Sequence, residues 1–117
     1  MPWNLDSDRP IFTQIAERLE QDILSGSYSP GEKIPSVREL ALEAAVNPNT
    51  MQKALAELER KGLVYSQRTN GRFVTEDNKL IARCKMDKAK EGIRLLMADM
   101  NALGLTKEEV ITLIQKL

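Results

Sequence analysis

The feature that most restricts this chain is a corner. Val37, Leu40, Ala41 and Ala44 recur at i, i+3, i+4 and i+7, the spacing of one apolar helix face. Met51, Ala54, Leu55 and Leu58 repeat that spacing. Only Ala45 to Thr50 separate the two patterns. Both have start signals. Ser36 followed by Glu39 is a capping box, in which each side chain satisfies an orphan backbone N–H. For the second pattern, Asn47 can cap with Pro48 in the first turn, or Asn49 can cap with Gln52 three residues on. The small residues Ala44 and Ala45 allow close approach, Val46 packs under the bend, and Asn47-Pro48 ends one helix and begins the next.

Around this corner the chain is punctuated clearly. A helix is expected from Pro10, with Phe12, Ile15, Leu19 and Ile23 on its apolar face and Gly26 as its stop. The turn-rich stretch SGSYSPGEKIP connects it to Ser36. Lys61-Gly62 closes the helix after the corner. LVYSQ and RFVT then read as two strands, with Asn70-Gly71 as a hairpin signal. From Leu80 to Leu103 a longer helix is expected. Ala89, Ile93, Leu96, Met100 and Leu103 step by four and three along it, a heptad-like seam. Gly104 ends it, and Thr106 with Glu109 caps a last helix whose apolar face holds Val110, Leu113, Ile114 and Leu117. A helical pair of this size needs a partner surface, because small cores are marginal.

Composition excludes several chemistries. The 117 residues contain no histidine, which removes His-based acid–base catalysis, Ser-His and Cys-His nucleophile pairs and most zinc sites. The single cysteine, Cys84, permits no internal disulfide, and a reducing cytoplasm is the default compartment. No apolar run approaches a membrane span, and the acidic, polar start MPWNLDSDRP is unlike a secretory signal. No cofactor or metal is expected. The net charge is zero, but it is unevenly spread. From Lys33 to Thr75 there are seven basic and four acidic residues, while Met1 to Glu32 has two basic and six acidic.

Two short helices about a tight turn form a helix-turn-helix, whose second helix presents its N-terminal end to a major groove. Asn49, Thr50, Gln52 and Lys53 are the exposed residues there. Asn and Gln suit adenine, and Lys suits guanine or phosphate. The hairpin tip QRTNGR, with Arg68 and Arg72 around Gly71, would be a basic wing laid on the backbone or in the minor groove. Each part has a plainer reading. Paired amphipathic helices are commonly just a core, Asn47-Pro48-Asn49 is also a well-capped turn, and hairpin arginines are usually solvated. The Met100–Leu103 seam reads as core or dimer interface before it reads as a ligand pocket. Cys84 reads as an ordinary buried or half-buried residue before it reads as a redox switch. Trp3 could anchor the N-terminal arm, and no sequence feature fixes its role. Helix-turn-helix and basic hairpin in direct succession favour DNA.

The phrases PSVREL, NPNT, ELERKGLV and NGRFV, with RPIFTQIAERLEQDILSGSYSPGEKIP before them, closely resemble the DNA-binding domain of the GntR-type bacterial repressors. The match runs from about Arg9 to Thr75. The resemblance implies a winged helix that binds palindromic operators as a homodimer and represses transcription. It implies that Arg38 reaches the DNA backbone or a base and that Arg68, Thr69 and Gly71 hold the wing positions. Where relatives commonly carry arginines at the recognition helix, this chain has Pro48 and Gln52. The NPNT form is similar to the YtrA branch, as is the short tail of about 40 residues, which that branch implies is a dimerisation element.

The expected fold is therefore mainly α with a small β-hairpin, a winged helix-turn-helix (9–77) plus a short C-terminal α-helical dimerisation hairpin (78–117). The expected DNA-facing set is Ser36, Arg38, Asn47, Asn49, Thr50, Gln52, Lys53, Arg68, Thr69, Asn70, Gly71 and Arg72. The expected dimer set is Ala89, Ile93, Leu96, Met100, Leu103, Val110 and Ile114. The expected partners are double-stranded operator DNA and a second copy, with no membrane; the sequence leaves open whether a small-molecule effector exists. The competing function is a winged-helix protein-interaction module without specific DNA binding. An enzyme is poorly supported, since its carboxylates lie mostly on exposed helix faces.

Overall fold

The computed structural model describes residues 3–117. Five helices and one hairpin follow in the order α1 (Ile11–Leu24), α2 (Val37–Ala44), α3 (Pro48–Arg60), β1 (Val64–Gln67), β2 (Gly71–Val74), α4 (Asn78–Ala102) and α5 (Lys107–Gln115). The mainly helical fold with a two-stranded antiparallel wing is as the sequence patterns predict. Two compact units divide within α4, after Ala82, a few residues later than the change of pattern suggests.

In the first unit α3 packs against both α1 and α2 and is followed directly by β1. Ile15, Leu19, Leu40, Met51, Leu55, Leu58, Leu63, Val64 and Val74 are its large, fully buried side chains, each contributing about 1.5–3 kcal/mol of transfer free energy. Phe12 is only half-buried, at the edge of the predicted face. The buried Glu20 reaches the Lys61 ammonium at 3.1 Å and ties α1 to the end of α3. The N-terminal arm is strapped to α1 by Gln14. Its side-chain oxygen accepts the Asp6 N–H at 2.6 Å, and its amide donates to the carbonyls of Asp6 and Arg9. Trp3 is half-buried, with the Arg18 guanidinium 4.7 Å from its ring centroid.

The corner between α2 and α3 is three small devices in a row. The Val46 N–H donates to the Ala41 carbonyl and the Ala45 N–H to that of Leu42, which is a Schellman closure. Ala45 takes the left-handed conformation that this closure demands, at φ 60°, and is exposed. It therefore does not serve close helix approach as its small size suggests; buried Ala44 does. Asn47 then caps α3 through its side chain, with Pro48 in the first helical position. Of the two cap choices open in the sequence, the one that uses proline's missing N–H is taken.

In the second unit α4 continues to Ala102, a Schellman closure at Gly104 follows, and Thr106 and Glu109 form the capping box of α5. No helix among the described residues is long and apolar enough to cross a membrane.

Candidate nucleic-acid interface

The first turn of α3 turns its polar side chains outward because the apolar face is filled by Met51, Ala54, Leu55 and Leu58. Asn49, Gln52 and Lys53 are exposed, and Thr50 is half-buried. Asn47 is exposed too, but its side-chain oxygen accepts the Asn49 N–H at 2.7 Å, which leaves only the amide NH2 to offer. Lys53 extends back toward α1, its ammonium 6.0 Å from the Phe12 ring centroid. At the start of α2 the Ser36 hydroxyl accepts the Glu39 N–H at 3.1 Å, and the Ser36 N–H donates to the Glu39 carboxylate at 3.2 Å. That N–H holds the Glu39 carboxyl below the usual carboxylate range, helped by the charge of Lys33. Arg38 is exposed beside this cap.

The hairpin pairs Val64 with Val74, Tyr65 with Phe73, Ser66 with Arg72 and Gln67 with Gly71. The loop is thus Arg68-Thr69-Asn70, closed by the Asn70 N–H on the Gln67 carbonyl. A two-residue Asn-Gly turn would need positive φ at both residues. Here Asn70 has negative φ and Gly71 alone carries the positive value, at 99°. The glycine is needed just after the turn rather than inside it. Arg68, Thr69 and Asn70 form the exposed tip.

Arg72 is placed differently from the expectation. Directly opposed residues share a face of a hairpin and alternate residues along a strand return to it. Arg72 therefore lies on the inner side, with buried Val64 and Val74. Its Nε donates to Glu59 Oε1 at 2.6 Å, and the Ser66 hydroxyl donates to the same oxygen at 2.8 Å. The Arg72 side chain is 19% exposed. The Arg72 guanidinium holds the Glu59 carboxyl below the usual range against a smaller desolvation penalty, with a lesser contribution from the Ser66 hydroxyl. Arg72 thus braces the wing against the last turn of α3 and is not a free cation at its tip.

Two residues here escaped the sequence reading. Glu59 was concealed within a helix end that looks like ordinary surface, although alternation from buried Val74 back to Arg72 points inward and calls for an acid. Lys33 belongs to the connector before α2. Its segment runs beside β2, with the Ile34 N–H on the Arg72 carbonyl, the Val74 N–H on the Glu32 carbonyl and Lys33 opposite Phe73. An open cleft of about 640 Å³ separates the start of α2 from the hairpin, lined by Lys33, Ser36, Glu39, Thr69, Asn70 and Arg72 among others.

The residues expected at a dimer interface lie in the second unit. No residue of α4 is buried. Ala89, Ile93, Leu96, Leu103 and Ile114 are exposed, Ile93 at 60%, and Met100 is half-buried. Val110 is the exception. At 4% exposure it is already covered within the chain and leaves no surface for a partner. Cys84 is half-buried. Among the described residues no cluster of acidic or cysteine side chains could hold a metal ion.

The sequence profile of the bacterial regulatory proteins of the gntR family matches residues 12–74. Two relatives from Bacillus subtilis are each 38% identical. The uncharacterized HTH-type transcriptional regulator YhcF aligns over 95% of this chain and 92% of its own length. The HTH-type transcriptional repressor YtrA aligns over 89% and 81%. Among solved structures, a GntR family transcriptional regulator from Listeria monocytogenes superposes with a TM-score of 0.91 at 38% identity, covering 97% of this chain and 99% of that one. The DNA-binding domain of AraR in complex with operator ORE1 matches with a TM-score of 0.56 at 32% identity, over 64% of this chain and 94% of its own.

Proposed function

This chain belongs to the gntR family of bacterial regulatory proteins, in its YtrA-like branch, and from that premise we propose that it is a cytoplasmic, homodimeric repressor of a palindromic operator. The observation that carries the reading is the outward row Asn49, Gln52 and Lys53 at the capped start of α3, on the same compact unit as a hairpin fastened to the other end of that helix. In this reading α3 enters the major groove. Asn49 and Gln52 read base edges, with Thr50 and Lys53 beside them. Arg38 positions the unit on the backbone, and the tip residues Arg68 and Thr69 meet the flanking groove. Residues 9–77 form the DNA-binding part and 78–117 the dimerising part. Two copies joined through Ile93, Leu96, Met100 and Leu103 would set two recognition helices on two half-sites. The solved AraR–operator complex and the repressor YtrA support this assignment by likeness.

The test is fluorescence anisotropy of the full chain on the DNA upstream of its own gene and on a scrambled duplex, over a salt series. Preference for the native fragment with steep weakening by salt is the expected result. Absence of salt-dependent binding to either duplex, from folded protein, would overturn the reading in favour of a winged-helix docking module.

A further inference from the structure

We propose that Lys33, from the connector before α2, is the second cation that the wing offers to a nucleic-acid backbone beside Arg68, the place that the hairpin motif gives to Arg72. The inference rests on the DNA-binding reading above. Its ground is the period-two geometry of the wing. Arg72 faces inward and donates to Glu59, so its charge is balanced inside the unit. Lys33 pairs with Phe73 and therefore lies on the other face, with Tyr65 and Phe73, whose rings stack at 5.8 Å. Its side chain runs along the wing toward the tip. A Cβ at Gly71 would stand 3.1 Å from Lys33 Cε and 3.8 Å from its ammonium nitrogen. Glycine at 71 thus leaves room for the lysine as well as for the turn.

Lys33 is exposed and, among the described residues, makes no ion pair. The carboxylate that feels its charge, Glu39, is already engaged by the Ser36 N–H. Two backbone hydrogen bonds flanking the lysine, the Ile34 N–H on the Arg72 carbonyl and the Val74 N–H on the Glu32 carbonyl, hold its backbone beside β2. The ammonium is therefore delivered to the mouth of the cleft between wing and α2 by structure rather than by chance reach. A phosphate strand crossing that mouth would meet Lys33 on the wing side and Ser36 at the capped start of α2.

The experiment measures affinity of full-length wild type and of Lys33→Gln, Lys33→Arg and Arg72→Gln for a random-sequence duplex and for the upstream fragment, across a salt series. Lys33→Gln is expected to lower the slope of log K against log salt by about one and to weaken both duplexes about fivefold to tenfold near 0.1 M salt. Lys33→Arg should restore the slope. Arg72→Gln should lower the melting temperature while keeping the wild-type slope. A wild-type slope in Lys33→Gln, or a slope lost in Arg72→Gln instead, would overturn the assignment while leaving the DNA-binding reading intact. Loss confined to the native sequence would overturn it too, because a backbone contact carries no base preference. Wild-type protein without salt-dependent binding would overturn the DNA reading and this assignment with it.

Discussion

Ala45 is the only non-glycine residue with positive φ among the described residues. The helix ends at α3 and α4 use the same closure with Gly62 and Gly104 in that place, so α2 alone performs it with a side chain. Left-handed backbone costs a residue bearing a Cβ about 1–2 kcal/mol, and glycine loses part of that advantage through its freer unfolded chain. Because Ala45 is exposed, its methyl group packs against little. Ala45→Gly should therefore raise stability by about 0.5–1 kcal/mol, visible as a higher denaturant midpoint with unchanged slope. An unchanged or lower midpoint would mean that the methyl packs usefully at the corner. Gln52 gives the matching functional test on the next helix. Gln52→Ala should relax base preference at one step of the operator and leave the salt slope alone, as measured by selection from a random library. A unchanged preference profile would remove Gln52 from base reading.

At the scale of elements, the wing is defined by what it leans on. Glu59 accepts from both strands, from Ser66 of β1 and Arg72 of β2, at one oxygen. Its lowered carboxyl pKa means that the stabilisation is fully present above the ordinary glutamate range and is lost as pH falls through Glu59's own, lower value. Glu59→Gln should then cost about 1 kcal/mol at neutral pH, and the gap in melting temperature between wild type and variant should close on acidification below the ordinary glutamate range. A gap independent of pH would mean that the carboxylate charge is not what braces the hairpin. The same region marks how far sequence reading reaches. Both capping boxes, Ser36 with Glu39 and Thr106 with Glu109, were legible because the partners lie three residues apart and the chemistry is local. So was the hairpin itself. The facing of Arg72 was not read, because the tip was judged by composition instead of by alternation from Val74. Lys33 was out of reach, since a bridge between residues 33 and 73 is a tertiary fact with no local signature.

For the molecule as a whole, the apolar seam of α4 is the open account. By rise per residue this helix is about 37 Å long, and none of its side chains is buried. Exposed apolar side chains that repeat along one helix, Ile93, Leu96 and Leu103 here, are what a contact site offers, which is why the dimer is proposed there. Leu96→Glu should yield a monomer by analytical ultracentrifugation and cut affinity for the native fragment about tenfold or more through loss of the second half-site. The first unit should melt as before. A variant that remains dimeric would move the interface off this seam. The forked acceptor at Glu59 has one further consequence, for timing. Helix and wing are joined before any duplex arrives, so little order is left to be gained on docking. Substitutions of the uncharged residues along this surface should therefore register in how long a complex lasts far more than in how quickly it forms.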